Sequence, residues 1–424
     1  MAMEKPEHSV PFGREMKDAH FNFAKNYTPL NHGSFGTFPK GVRDHQRELQ
    51  DLAEARPDTF LRYTYPDLLE KSRCAVAPLL GVSMDEVVFV PNATTGVNTV
   101  LRNLVYQKGD VIVHFSTVYG ACEKAIDSLC ETEHIERVCV HIDYPEEDED
   151  IISKFKSTVQ DLKNDGKTIK LAMFDTVLTF PGARFPWEAM VETCKNLQVL
   201  SLIDGAHGVG HIDLTHLGRV GPNFFTSNCY KGSVPGGEKA FGELFKKVST
   251  VDPTPYVCVE EALKFRDLAC GGEAAVREYC EHIARTGGKR MAEIMGTEIM
   301  ENKTRTLHRC CFVNVRLPLV VTNGPASYDT RVEPAHEQGV VNSQANNKIS
   351  YIRDTDASEI AKWMTERSIK DYETMIPVKF YGGEIWCRIS GQIYLELRDF
   401  EWAAYRLEEM CERVSKGEFK AVPV

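Results

Sequence analysis

The sequence predicts an α/β protein built on a mainly parallel, doubly wound sheet. Short apolar runs that suit buried strands alternate with helical stretches, and the clearest runs are Asp110–Phe115, Arg137–Ile142, Lys170–Asp175 and Val199–Asp204. Apolar runs of this length are typical of parallel strands covered on both faces. Strands that alternate with helices in this way favour a parallel sheet with crossover connections.

Length and composition set the outer limits. A chain of 424 residues is too long for one small core, so we expect two domains. The net charge of −11 argues against nucleic-acid binding, and no apolar run reaches the roughly 18 residues that a membrane helix needs. The thirteen cysteines, which include no CxxC pair, fit reduced thiols and a cytoplasmic location. We expect no metal site.

A strand-to-helix turn offers the first candidate ligand site. Glu86–Val90 is predicted to be a strand, and Asn92 and the residues after it open a helix that reaches about Leu104. Backbone N–H groups at such a helix start bind anions, and the hydroxyls of Thr94 and Thr95 add donors. A plain N-cap without a ligand is the alternative.

Two predicted strand ends supply an acid and an amine. The Val199–Asp204 run ends in Asp204, and Lys231 follows a second run, Asn223–Ser227. Ligands of open α/β sheets bind at this edge, and the pair suits pyridoxal phosphate: the lysine holds the cofactor as a Schiff base, and the acid keeps its ring nitrogen protonated. Tyr119, after another strand, can stack on a flat ring or give a proton; a core tyrosine is the alternative.

The order NATTG, a strand ending in DGAH, and SNCYK resembles the fold-type I pyridoxal-phosphate enzymes of the class V aminotransferase group. That group contains cysteine desulfurases, isopenicillin N epimerase-like proteins and carbon–sulfur lyases. The resemblance runs from about Leu30 to about Leu407. It implies a large cofactor-binding domain at residues 56–285, a smaller α+β domain at 286–424, and an N-terminal segment, 1–55, that packs with the small domain. It also implies an amino-acid substrate and a homodimer.

The resemblance assigns roles to individual residues. Lys231 holds pyridoxal 5′-phosphate and Asp204 pairs with its ring nitrogen. The implied cofactor contacts are Thr94, Thr95, Tyr119, Asp204, Ala206, His207, Ser227, Lys231 and Thr250. The implied substrate contacts are Asn31, His32 and Arg388. An arginine fork suits a substrate carboxylate, although a surface strand arginine is the alternative for Arg388.

The segment after the lysine departs from the family pattern. Tyr230 and Gly232 stand where the family usually has a histidine and an aromatic residue. The following span is also shorter than in the family, and Ser249–Thr250 occupies the place of a Gly-Thr pair that reaches the second subunit's phosphate. The contact of Thr250 with the cofactor depends on that correspondence.

Several sequence blocks, among them STVYGACEKAI and SGQIYLELRDFEWA, most resemble the fungal carbon–sulfur lyases of ergothioneine biosynthesis. The implied reaction is β-elimination from a cysteine S-conjugate or sulfoxide, with Lys231 as base and Tyr119 as acid. A desulfurase, an epimerase-like enzyme and an inactive, cofactor-free relative are the alternatives. A desulfurase needs a nucleophilic cysteine; Cys387 should face away from Arg388 because neighbours on a strand point to opposite faces, so Cys229 is the rival.

Overall fold

The computed structural model describes residues 10–228, 252–322 and 349–420, together with the two-residue strand Val234–Pro235. Lys231, Thr250 and Cys229 lie outside the described residues. The α-helices are α1 (Arg14–His20), α2 (Lys40–Ala55), α3 (Pro57–Thr59), α4 (Tyr65–Leu80), α5 (Ala93–Asn103), α6 (Gly120–Glu133), α7 (Asp148–Asn164), α8 (Trp187–Leu197), α9 (Leu217–Val220), α10 (Thr254–Val257), α11 (Val259–Leu268), α12 (Glu273–Met295), α13 (Asp354–Tyr372) and α14 (Leu397–Ser415). A π-turn joins α3 to α4 at Phe60–Thr64, and short 3₁₀ turns occupy Met84–Glu86 and Glu418–Lys420. The strands are β1 (Val87–Val88), β2 (Asp110–Phe115), β3 (Glu136–Val140), β4 (Thr168–Asp175), β5 (Leu200–Asp204), β6 (Phe224–Thr226), β7 (Val234–Pro235), β8 (Phe312–Arg316), β9 (Leu319–Thr322), β10 (Ser350–Arg353), β11 (Val378–Tyr381) and β12 (Glu384–Ser390).

The predicted parallel sheet is confirmed. Five strands lie in the order β3-β2-β4-β5-β6, and every pair is parallel. Successive side chains of β2 enter different cores: Val111 and Val113 pack on one face, whereas Ile112 packs on the other. Because strand side chains alternate, an entirely apolar strand needs helices on both faces. Helices α7 and α8 cover one face, and α5 and α6 cover the other.

One predicted strand is wrong in extent. In place of a strand over Glu86–Val90, the chain forms a 3₁₀ turn and a strand of two residues. Ser83 caps the turn through the Asp85 N–H, and the Glu86 carboxylate accepts from the Ser83 N–H. This reciprocal cap satisfies local donors that a longer strand would leave unpaired.

A second core is built from the C-terminal third of the described chain. Strands β11, β12 and β8 form an antiparallel sheet, and β9 pairs with β10 in parallel. Helices α12, α13 and α14 pack around them, and the N-terminal side chains Met16, Phe21 and Leu30 join the same cluster. Val42 and Leu49 of α2 belong instead to the large core. The domain boundaries at 55/56 and 285/286 stay a prediction. None of the described helices is both long and apolar enough to cross a membrane.

Candidate active site

Two carboxylates meet at the carboxyl edge of the main sheet. Asp175 ends β4, Asp204 ends β5, and the two residues stand opposite each other in the strand register. Both are buried. Asp204 Oδ1 accepts from the Ala206 N–H at 2.9 Å, and its Oδ2 lies 3.4 Å from the Cys122 thiol. Burial, reinforced by the negative charge of Asp204, raises the pKa of Asp175 well above its usual range. Burial and the neighbouring Asp204 thus both favour the protonated form of Asp175.

The strand ends that carry this acid are closely packed. Gly205 follows Asp204, and a Cβ there would stand 2.4 Å from the Phe225 ring. The Ser227 hydroxyl donates to the Gly205 carbonyl at 2.5 Å. The two contacts fix the end of β5 against the end of β6, so the backbone next to Asp204 has little room to shift.

Helix α5 begins beside that edge, and its first turn leaves a donor pair at Thr94. The Ala93 N–H donates to Asn228 Oδ1 at 2.9 Å, and the Thr95 N–H donates to Asn92 Oδ1 at 2.8 Å. The Thr95 hydroxyl also lies 3.1 Å from Asn92 Oδ1. Neither the N–H nor the hydroxyl of Thr94 has an acceptor among the described residues. The predicted anion site therefore centres on Thr94, whereas Thr95 serves the cap.

Arg388 lies on β12, and its guanidinium is 2% exposed. One terminal nitrogen donates to Asn31 Oδ1 at 2.8 Å and to Ser34 Oγ at 2.6 Å, and the other donates to the Thr179 carbonyl at 2.5 Å. Burial lowers the pKa of Arg388 to about 10. No carboxylate among the described residues pairs with it, and its Nε makes no hydrogen bond there.

The Phe312 ring links this arginine to the sheet edge. The Arg388 guanidinium lies 4.4 Å from the centre of the ring, and the ring centre of His207 lies 5.2 Å from it. His207 Nε2 is also 3.3 Å from the Thr179 hydroxyl. Two glycines allow this approach: a Cβ at Gly33 would stand 2.1 Å from the Phe312 ring, and a Cβ at Gly182 would stand 2.7 Å from the Arg388 side chain. Arg388 and His207 thus contact the same ring, and His207 follows Asp204 by three residues.

The other predicted contacts take different positions around it. His32 Nδ1 lies 2.5 Å from the hydroxyl of the buried Tyr394. Ala206 is half-buried directly after the Asp204 strand. Tyr119 precedes α6 at the carboxyl end of β2 and is 46% exposed. Its carbonyl accepts from the Cys122 and Glu123 N–H groups, but its side chain makes no hydrogen bond or ring contact with the described residues.

Several residues that position the site carry no clear signal in the sequence. They are Ser34, Cys122, Asp175, Thr179, Asn228 and Phe312. Ser34 and Asn228 stand within three residues of predicted site positions, so proximity could have suggested them. Phe312 could not have been found in this way, because only the fold brings its ring beneath Arg388.

The described residues fit pyridoxal 5′-phosphate at its two ends. Buried Asp204 is the acid that a pyridinium nitrogen requires, and the free N–H and hydroxyl of Thr94 are donors for a phosphate. A Cβ at Gly96 would reach within 2.3 Å of the Thr226 hydroxyl, so the phosphate end of α5 lies directly against the sheet. The roles of Lys231 and Thr250 stay predictions.

Comparison with known proteins gives a family match over part of the chain and relatives that align over nearly all of it. The profile of the family described as Aminotransferase class-V matches residues 61–224. An L-cysteine desulfhydrase-like protein of Epichloe uncinata is 31% identical over 96% of this chain and 98% of its own length. The hercynylcysteine sulfoxide lyase of Schizosaccharomyces pombe is 26% identical over 94% of this chain and 98% of its own.

Solved structures agree with the fold. A point mutant of C-DES with glycine covalently linked to the pyridoxal-phosphate cofactor superposes with a TM-score of 0.69, at 12% identity, over 91% of this chain and 97% of that chain. A complex of C-DES, named there a cystine C–S lyase, with cysteine persulfide superposes at 0.68 and 14% identity, over 91% and 98% of the two chains. At this identity the likeness concerns the fold alone, and it confirms the predicted fold type I.

Proposed function

Because this chain belongs to the class-V aminotransferase family, we propose that it is a pyridoxal-phosphate-dependent carbon–sulfur lyase acting on a cysteine S-conjugate or sulfoxide. The preferred substrate in this proposal is hercynylcysteine sulfoxide. The relative of that name in Schizosaccharomyces pombe, which aligns over 94% of this chain, supports the choice. The Cβ–S bond breaks, the three-carbon fragment is hydrolysed to pyruvate and ammonia, and the sulfur leaves as a sulfenic acid. A thiol reductant then converts that acid into ergothioneine.

The observation that carries the proposal is the buried guanidinium of Arg388. It has five N–H donors, and three hydrogen bonds to Asn31, Ser34 and Thr179 leave part of the fork unused. A buried cation without a counter-ion is costly, and a carboxylate that enters beside it recovers that cost. We infer that this carboxylate is the α-carboxylate of an amino-acid substrate, which would orient the substrate toward His207 and Asp204.

Pyridoxal 5′-phosphate is the cofactor, and when bound it supplies the electron sink for charge that develops at Cα. Thr94 would hold its phosphate and Asp204 its ring nitrogen. The buried setting of Asp204 keeps water from competing for its charge. In this proposal Lys231 takes the Cα proton and Tyr119, exposed at the carboxyl edge, gives a proton to the departing sulfur.

The test is turnover by purified protein of cysteine, cystathionine and hercynylcysteine sulfoxide, with pyruvate and ammonia quantified together. We expect equal amounts of both products and the highest kcat/KM with the sulfoxide. Asp204→Asn should retain cofactor absorbance but lose most turnover, because the ring nitrogen loses its charged acceptor. The absence of pyruvate from every cysteine derivative would refute a lyase of this class.

A desulfurase would instead carry a persulfide on one of its own cysteines. Cys387 is unsuited to this role: it is fully buried in the smaller core, and burial raises its thiol pKa to about 12, so little thiolate exists at neutral pH. Cys229 is the remaining candidate. Loss of turnover in Cys229→Ala, together with a persulfide adduct on wild-type protein by mass spectrometry, would move the chain to the desulfurase reaction.

We also propose that the enzyme is a homodimer. Three apolar side chains are largely exposed: Phe35 is 81% exposed, Leu61 55% and Tyr63 70%. Phe35 lies in the same N-terminal loop as Asn31, and the other two lie on the π-turn. Exposed apolar side chains often mark subunit contacts when a partner covers them. A second copy seated there would close the site from the side of the N-terminal loop.

A further inference from the structure

A cavity of about 600 Å³ lies outside the proposed active site, between α12 and the turn that follows it. Its lining includes four cations, which we call the basic cluster: Arg285, Lys289, Arg305 and Arg309. His308 and Glu301 form the inner part of the lining. Cavities of this size are typical of small-molecule sites.

The fold brings the cluster together from two sides. Arg285 and Lys289 are four residues apart on α12 and so share one face of the helix. Arg305 and Arg309 come from the turn that leads into β8. That turn is anchored to the large core, because the Asn302 side chain donates to the Glu146 carbonyl at 3.1 Å and the Glu147 carboxylate accepts from the Lys303 N–H at 2.7 Å.

Within the described part of the chain, the side chains of the basic cluster are not paired with any acid. Among the described residues, none of them forms an ion pair or a side-chain hydrogen bond. Arg290, the next cation on α12, differs: it pairs with Glu293 and with Glu401. Four exposed cations facing one cavity repel each other, and this occurs on a chain whose net charge is −11. An anion in the cavity would remove that repulsion.

The acids near the cluster do not form ion pairs with its four cations among the described residues. Glu301 accepts from the N–H groups of Asn302 and Leu307, and its second oxygen lies 3.2 Å from His308 Nδ1. Burial opposes ionisation of Glu301, but these hydrogen bonds and His308 hold its pKa below the usual value. Asp148 forms no ion pair with Arg309 among the described residues. Burial raises the pKa of Asp148, and the charge of Arg309 opposes this rise only in part. Glu281 also lines the cavity, so the four cations of the basic cluster outnumber the two acids of the lining, Glu281 and Glu301.

The second observation concerns His308. This side chain is 3% exposed, and its Nδ1 faces Glu301. Its Nε2 is buried and has no hydrogen-bond partner among the described residues. Buried polar atoms in folded proteins nearly always have a partner. An imidazole left with one unsatisfied nitrogen in the lining of a cationic cavity indicates a ligand that the protein chain does not itself supply.

We propose that this cavity binds a phosphate dianion, either free or as the phosphate group of a nucleotide-sized ester. Two charges on the ligand match the excess of cations, and arginine forks bind phosphate oxygens in pairs. The volume exceeds what a phosphate alone would fill, which leaves room for an attached organic group. This site is independent of the proposed lyase reaction, because it shares no residue with the region around Asp204 and Arg388.

The test is titration calorimetry of the cofactor-loaded protein with inorganic phosphate and with AMP at constant ionic strength. Loading with pyridoxal phosphate occupies the Thr94 site, and unchanged cofactor absorbance shows that the probe has not displaced it. We expect saturable binding to wild type and at least a tenfold weaker affinity in Arg305→Gln/Arg309→Gln. Tighter binding of AMP would identify an ester as the ligand, and equal binding would identify the anion itself.

The matched control is Lys108→Gln/Lys362→Gln, which removes the same charge from two exposed positions elsewhere and should bind as wild type does. Arg285→Gln/Lys289→Gln tests the helix side and should also bind at least tenfold more weakly, so the result does not depend on one loop variant. Absence of saturable binding of both probes would overturn the proposal. Wild-type affinity in both cluster variants would overturn it as well.

Discussion

At the scale of single residues, the surroundings of Arg388 give the strongest support for the proposed amino-acid substrate. Its guanidinium is held by three uncharged acceptors, and burial lowers its pKa to about 10. A buried guanidinium that has no counter-ion among the described residues favours the binding of an anionic ligand. The same geometry also excludes the alternative of a surface strand arginine, because the side chain is 2% exposed.

Replacing this charge should affect substrate binding far more than cofactor binding. We expect Arg388→Gln to raise KM for the amino acid roughly 100-fold, since charge-assisted hydrogen bonds to a carboxylate are lost. Cofactor absorbance should stay as in wild type. Steady-state kinetics and absorbance of the loaded protein measure the two effects. Arg102→Gln, at an exposed position on α5, is the control; an unchanged KM in Arg388→Gln would remove this residue from the substrate site.

The two threonines at the start of α5 should behave differently. Thr94 has a free hydroxyl, whereas the Thr95 hydroxyl is already directed at Asn92. We therefore expect Thr94→Ala to weaken pyridoxal-phosphate affinity about tenfold, the usual worth of one hydrogen bond to a charged group. Thr95→Ala should leave that affinity nearly unchanged. Fluorescence titration of the cofactor-free protein compares the variants; a larger loss in Thr95→Ala would reverse the assignment.

The buried acid pair predicts a pH dependence of stability. Asp175 has a pKa raised by burial and by Asp204. The folded state therefore holds a proton that the unfolded chain loses above about pH 4, and this contribution to stability falls as pH rises through the folded pKa. Asp175→Asn removes the effect. The melting temperature of Asp175→Asn minus that of the wild type should therefore increase as the pH is raised from 5 to 8. A difference that increases as the pH is lowered would contradict the raised pKa of Asp175.

At the scale of elements, helix α5 is held against β6 by a glycine. A Cβ added at Gly96 would stand only 2.3 Å from the Thr226 hydroxyl. Gly96→Ala should push the helix start away from the sheet, lowering both the melting temperature and the cofactor affinity. Gly120 at the start of α6 is the matched control, since nothing lies within 4 Å of its added Cβ. Gly120→Ala should be neutral or stabilising, because alanine is the better helix former.

Elements with a simple apolar pattern could be predicted from the sequence, because the burial of neighbouring residues along the chain determines them. Strand β2 has the predicted bounds, Asp110–Phe115, because all six of its residues are buried and four of them are apolar. The Glu86–Val90 prediction failed because the cap at Ser83 competes with strand pairing over the first of these residues. Periodicity does not reveal such a competition, which depends on hydrogen-bond geometry.

At the scale of the whole molecule, the site is assembled from distant parts of the chain. The strand ends at Asp204 could be predicted because parallel strands finish at one edge. The surroundings of Arg388 could not, because Asn31, Thr179 and Phe312 come from separate segments that only the tertiary fold joins. The sequence pattern therefore identifies the candidate reactive residues better than it identifies the residues that position them.

The proposed homodimer is tested at this scale by mass. A chain of 47.8 kDa should run at twice that mass in light scattering. Leu61→Ser/Tyr63→Ser should shift the protein toward the single-chain mass and reduce turnover, because both side chains are exposed on the π-turn. Val105→Ser, which changes an equally exposed apolar side chain elsewhere, is the control. A fully active wild-type monomer would contradict the dimer.

The contact between Arg388 and Asn31 also imposes an order during translation. The two residues are 357 positions apart, so this contact can close only after Arg388 has left the ribosome. Thr94 and Asp204 are synthesised much earlier, and N-terminal parts fold first during synthesis. A nascent chain can therefore complete the sheet edge around Thr94 and Asp204 before the contact between Arg388 and Asn31 forms.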